Sequence, residues 1–227
     1  MCDFVFKIIV YLSVCLFGFV THANDLKLHG FVAQGLIQSN ESNFVNDDGD
    51  ISTRLTEVGI NASYRIHPKL RVAGQGIYLN GGNRYPEGAR IDYLFLDWQL
   101  LNIPNWQVDM HIGRYKNYHW MYSATRDVPH TRPSIILPQS IYFDVFRDVA
   151  LGSDGLAILA STNNEVGEWE INWSYGRSDI SAEQTQNLLS DGASGDLEQD
   201  FAHQFTLTWK PITSFFSSGS QLIGLKV

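Results

Sequence analysis

Cysteine is nearly absent: the 227 residues hold two, Cys2 and Cys15. A disulfide framework, a zinc finger and a thiol redox centre are thereby excluded from everything that follows. Charge is sparse too, at 18% of residues against the roughly 25% usual in soluble domains. It is also short of cations, with 16 Lys and Arg against 24 Asp and Glu, a net charge of −8. A nucleic-acid partner asks for the opposite balance, so none is expected. Beyond residue 23 no apolar run reaches the roughly 20 residues of a membrane-spanning helix. What is present is a hydrophobic fraction of 44% with 13% aromatics, too much for a disordered chain. The length suits one large all-β domain or two small ones.

Lys7 precedes an apolar run from Ile8 to Val20, and Thr21-His22-Ala23 follows as a small-x-Ala cleavage pattern. The run is too short for a bilayer-crossing helix. Residues 1–23 are therefore expected to be a secretory signal peptide, with a mature start at Asn24. Cys15 lies inside the apolar run between Val14 and Leu16, so lipidation is not expected.

After that segment the pattern has period two, the signature of strands. Over 55–66, Thr56, Val58, Ile60, Ala62, Tyr64 and Ile66 alternate with polar or small residues. Trp169, Ile171, Trp173 and Tyr175 do so over 168–176, as do His203, Phe205, Leu207 and Trp209 over 202–209. Weaker candidates are 26–38, 70–79, 91–101, 106–115 and 154–161, which makes eight strands in all. Their connections alternate in length. His67-Pro68-Lys69, Ile103-Pro104-Asn105 and 162–167 are short, whereas 39–53, 80–90, 116–150 and 177–200 are long and polar.

Short turns at one rim and long loops at the other describe an antiparallel up-and-down transmembrane β-barrel, whose strands of roughly 9–11 residues turn an apolar face outward. Lipid offers no hydrogen bonds, so backbone groups must pair between strands. Tyr64, Tyr78, Trp98, Trp106, Tyr115, Trp169 and Trp209 cluster near strand ends, where girdles of aromatic rings would meet the two interfaces. A periplasmic β-sandwich alternates as well and stays open as a second reading, with Trp169, Trp173 and Trp209 as a glycan-binding surface.

The longest loop, 116–150, carries three prolines and large apolar residues including Ile135, Ile136, Phe143 and Phe146. Left in solvent these would be exposed, so the loop is expected to fold inward. Within a wide barrel it would narrow the lumen. Arg126, Asp127, Arg132, Arg147 and Asp148, with Arg114 at its root, would then set limits of size and charge. The charges are mixed and fix no anion or cation preference; Arg126–Asp127 and Arg147–Asp148 also read as ordinary ion pairs.

Chemistry-bearing motifs are missing. With Gly49 at the sixth position, a calcium loop around Asn46–Asp50 would need ligands at Phe44 and Leu55, which cannot serve. His111, His119 and His130 share no strand or helix face, so no metal site is expected. No nucleophile elbow, phosphate-cradling loop or dinucleotide fingerprint occurs. Neither an enzyme nor a cofactor is expected.

Several short motifs resemble Gram-negative outer-membrane porins, in particular porin-like proteins grouped with the phosphate-selective porins. They are Gly113-Arg-Tyr-Lys116, Tyr122-Ser-Ala-Thr-Arg-Asp-Val128, Thr131-Arg-Pro133, Leu137-Pro-Gln-Ser-Ile-Tyr142, Phe146-Arg-Asp148 and Ser153-Asp-Gly155. The opening Leu28-His-Gly-Phe-Val-Ala-Gln-Gly35 and the strand carrying Asp92 and Asp97 agree with it. The resemblance covers about 24–161. It implies a barrel of roughly 16 strands, a homotrimer in the outer membrane among lipid, an inward constriction loop with Asp97 also facing the lumen, and passive diffusion of small hydrophilic solutes or ions.

Such barrels need about twice this chain. Residues 24–210 thus read as about half a barrel and 211–227 as an atypical tail, and a half barrel leaves two unpaired edges. Closure into eight strands by pairing 202–209 with 26–38 is the alternative, its interior filled by side chains. A structural barrel that transports nothing is a further reading.

Overall fold

The computed structural model describes residues 25–38, 50–84, 87–118, 128–132, 134–136, 152–178, 180 and 200–212, and the backbone of 218–224. The strands are β1 (Leu26–Ile37), β2 (Ser52–His67), β3 (Leu70–Asn80), β4 (Gly88–Ile103), β5 (Trp106–Lys116), β6 (Gly152–Asn164), β7 (Gly167–Arg177), β8 (Ala202–Pro211) and β9 (Ser218–Gly224). They form a single antiparallel sheet in which every strand pairs with its neighbours in sequence. All eight expected strands are present. β2 and β4 begin several residues before their alternation becomes clean, because pairing with β1 and β3 continues through Ser52 and Gly88.

Two expectations are corrected. Within 211–227, Ser218–Gly224 forms β9, which pairs with β8. β8 therefore has both edges occupied, by β7 and β9, and the pairing of 202–209 with 26–38 is not formed. The sheet is open, with β1 and β9 at its edges. The two packed sheets of a sandwich are also not formed, since the described strands make one sheet. The expected signal peptide 1–23 and the acidic segment 46–49 lie outside the described residues.

Register is what gives the sheet its character. Val32 lies opposite Val58, and Val58 opposite Tyr78; Leu96 lies opposite Ile112, and Ile112 opposite Leu156; Ile171 lies opposite Leu207. Because side chains alternate, these pairings gather the apolar column of each strand onto one face. That face is not covered: Val32 is 77% exposed, Leu36 71%, Leu28 60% and Ile60 59%. The opposite face carries Glu57, Asn61, Gln75, Asp97, Glu170, Asn172 and Thr206. It also holds a small apolar patch, in which Phe31 packs against the buried Ile77 and Leu79.

Gly113, in β5, has a φ of +123°. A Cβ there would lie 2.6 Å from the Leu94 carbonyl oxygen on β4. Gly113→Ala therefore meets both an unfavourable backbone conformation and a wall of backbone that cannot step aside. It should lower stability by about 1–3 kcal/mol, read as a fall in the urea midpoint of unfolding.

Candidate functional site

The polar face is organised in rows that run across strands. In the first, Asn61 Nδ2 donates to Gln75 Oε1 at 3.4 Å and Gln75 Nε2 donates to Asp92 Oδ2 at 2.9 Å. Lys116 then closes the row, its ammonium 2.6 Å from Asp92 Oδ1. Each residue comes from a different strand, β2 to β5. A bulge makes this possible: Gln75 pairs with Tyr93 and Gly76 with Ile91, so Asp92 has no opposite residue and its carboxylate turns onto the polar face. The Lys116 and Asp92 side chains are only 5% and 7% exposed.

The second row lies nearer the short turns. Arg65 is opposite Arg71, Arg71 opposite Asp97, and Asp97 opposite His111. Arg71 Nε and Nη2 both donate to Asp97 Oδ2, at 3.0 and 2.6 Å. His111 Nε2 is 3.6 Å from Asp97 Oδ1. The His111 ring stacks on Phe95, with centroids 4.1 Å apart.

The long loop rests on this face at the points where it is described. At its root Tyr115 is fully buried and Asn117 is 1% exposed, with Asn117 Oδ1 accepting from Ser153 Oγ at 3.2 Å. The Tyr118 hydroxyl reaches His111 Nδ1 at 3.4 Å. Burial, with Asp97 nearby, pushes that hydroxyl well above the ordinary tyrosine range, so it stays protonated. Further along, a short 3₁₀ turn, Pro129–Thr131, precedes Arg132, whose Nη1 donates to Glu57 Oε1 on β2 at 3.1 Å. A second hydrogen bond from Nη2 makes the pair bidentate. Arg132, in the connection that follows β5, thus meets β2 on the polar side of the sheet. A pocket of about 400 Å³ lies beneath it, between Leu55, Glu57, Arg132 and Ile135.

Among the residues singled out from sequence, Asp97 and Arg132 lie on the polar face, each in an ion pair. Arg114 does not join them. It is opposite Leu94 and Asp154 and alternates with Tyr115, which puts it on the side of Ile112. There it holds Asp154 through two hydrogen bonds of 3.1 and 3.0 Å. Arg126, Asp127, Arg147 and Asp148 lie outside the described residues. Ile135, expected to be hidden by the inward fold, is 78% exposed. Ile135 lines the pocket beside Glu57 and Arg132 and still faces open space there.

Sequence reasoning missed Glu57, Arg71, Asp92 as a network member, His111 and Lys116. One signal was available: Glu57 stands between Leu55 and Gly59 on the polar column of β2, a charge flanked by an apolar and a small residue. Trp169, Trp173 and Trp209 share the apolar face, but Trp169 and Trp209 stack on each other with centroids 5.6 Å apart and Trp173 stacks against His203. No family model, curated protein or solved structure matches this chain.

Proposed function

We propose that this chain is the wall of a water-filled outer-membrane pore through which small hydrophilic solutes or ions diffuse passively. One observation carries the reading: among the described residues a single sheet leaves much of its apolar face exposed, and apart from Arg114–Asp154 the ion pairs described above lie on the other. A water-soluble sheet does the reverse, burying the apolar face against a second layer. Large exposed apolar patches mark a surface that meets another apolar phase, and a continuous one spread over strands of 10–16 residues (β1–β8) fits a bilayer.

The aromatic residues add support. Tyr64, Trp98, Trp106, Trp169 and Trp209 all lie on the apolar side near the short-turn ends of their strands, where an interfacial girdle belongs. The loop anchored by Tyr118–His111 and Arg132–Glu57 lies where it would narrow the lumen. In this reading the open edges β1 and β9 meet further strands, from the rest of a larger barrel or from other copies in a homotrimer-like assembly, because lipid leaves no unpaired backbone. No chemistry is involved, and the partners are lipid on one face and solute on the other.

The test is reconstitution of the folded chain in lipid bilayers with measurement of ion conductance. Discrete conductance steps are expected, and electrically silent protein that is fully folded and inserted would discard the pore. In the same assay Arg132→Ala should release the loop from Glu57 and leave an uncompensated carboxylate beside the path. The reversal potential in a salt gradient should move toward cation preference. An unchanged potential would mean that Arg132 lies away from the permeation path.

A further inference from the structure

The second polar row contains a contradiction in its charges. Arg65 and Arg71 are directly opposed across β2 and β3, a like-charge pairing that destabilises a sheet unless something negative lies between. Arg71 is committed to Asp97 through two hydrogen bonds. The Arg65 guanidinium makes no hydrogen bond or ion pair among the described residues. Both line a cleft of about 240 Å³ at the short-turn end, whose far wall holds Asp97 and Asp109 and whose lip carries Lys69. Gln107 Nε2 donates to Asp109 Oδ2 at 2.6 Å, which holds that second carboxylate in place.

We propose that this cleft is a binding station for small monocarboxylate ions, with the solute carboxylate held in the fork of Arg65 and shared with the outer edge of Arg71. It deepens the pore reading by naming a solute class, though the cleft itself is defined by the sheet alone. Guanidinium forks match the planar geometry of a carboxylate. The charge count selects within the oxyanions. Arg65, Lys69 and Arg71 face Asp97 and Asp109, so the cleft has one positive charge in excess, histidines aside. A single negative charge satisfies it, whereas a phosphate of charge about −1.5 to −2 would be pressed against two fixed carboxylates. Asp109 and Gln99, opposite each other on β4 and β5, are left to take a hydroxyl or ammonium group on the same solute.

The experiment is a titration of the folded full-length chain in detergent micelles with ¹³C-acetate, followed by line broadening, with inorganic phosphate as competitor. Saturable broadening is expected, displaced by phosphate only at concentrations above the acetate midpoint. Arg65→Gln should weaken acetate binding at least tenfold, and Asp109→Asn, which removes a repelling charge, should tighten it. An Arg177→Gln control, at the opposite strand end, should leave the midpoint unchanged. Absence of saturable acetate binding, an Arg65→Gln midpoint equal to wild type, or displacement by less phosphate than acetate would each overturn the assignment. Asp109→Asn keeps the test decisive if Arg65→Gln fails to fold, because unchanged or weaker binding there also refutes it. Conductance is measured separately: binding without conductance would sink the pore and spare the cleft, and conductance without binding would do the reverse.

Discussion

Replacing Ile60 by Arg is expected to destabilise the chain by about 2–4 kcal/mol when it is folded in a lipid bilayer, and by no more than about 0.5 kcal/mol if the same face meets water. Ile60 is in the middle of β2, opposite Gly30 on β1 and Gly76 on β3, and is 59% exposed. With so much of its surface uncovered and two glycines beside it, an arginine fits without steric conflict. Only the medium decides its cost. In hydrocarbon the guanidinium loses its hydration, and the cost falls toward zero nearer either interface. Urea unfolding of the reconstituted chain reads the difference. Ser63→Arg, on the opposite face of the same strand, serves as the control and should leave the midpoint near wild type. Equal midpoints for Ile60→Arg and wild type would remove the lipid-facing assignment of this surface, and with it the pore.

Asp92→Asn is expected to produce the largest single loss of stability, about 3–5 kcal/mol, because it breaks a buried ion pair from one side. The Lys116 ammonium and the Asp92 carboxylate are both nearly sealed from solvent. Asparagine keeps a hydrogen-bond acceptor for Gln75 but removes the charge that balances Lys116. Asp92 is the carboxylate the ammonium touches at 2.6 Å, and neutralising one member of a nearly sealed ion pair costs far more than the pair ever contributed. The double variant Asp92→Asn with Lys116→Met should recover much of the loss, since it removes the unbalanced charge as well. Denaturant midpoints of the four proteins in a double-mutant cycle check this. A single-variant loss below about 1 kcal/mol would mean that water reaches the pair freely. The row joining β2 to β5 would then not lock the root of the loop.

Much of the fold was legible in the sequence because strand formation leaves a local trace. The alternation of Val58, Ile60, Ala62, Tyr64 and Ile66 with polar neighbours, and of Trp169, Ile171, Trp173 and Tyr175 with theirs, is written in consecutive residues. The short links at 67–69 and 103–105 are too brief to permit anything except antiparallel neighbours. β9 escaped notice because Ser218–Gly224 carries glycine and serine with little alternation, and its pairing rests on backbone groups offered by β8.

The candidate site was legible only in part, and the reason is range. Asp97 and Arg132 stood out as charged residues within an aromatic-rich strand and within an apolar loop. Their partners did not: Arg71 is 26 positions from Asp97, and Glu57 is 75 from Arg132. Nothing in residues 50–60 announces that Glu57 will receive a guanidinium from a loop three strands later.

The sequence by itself determined that this chain makes antiparallel strands with one apolar and one polar column each, joined by alternating short and long connections. Those properties follow from the two-residue period of an extended chain and from turn length, both local. Only the tertiary structure decided which columns share a face, that the bulge turns Asp92 toward Lys116, that Arg114 parts company with Arg132, and that Arg65 meets Arg71. These depend on register, and register is a sum over many weak cross-strand contacts, in which a shift of one residue would have sent every side chain to the other side.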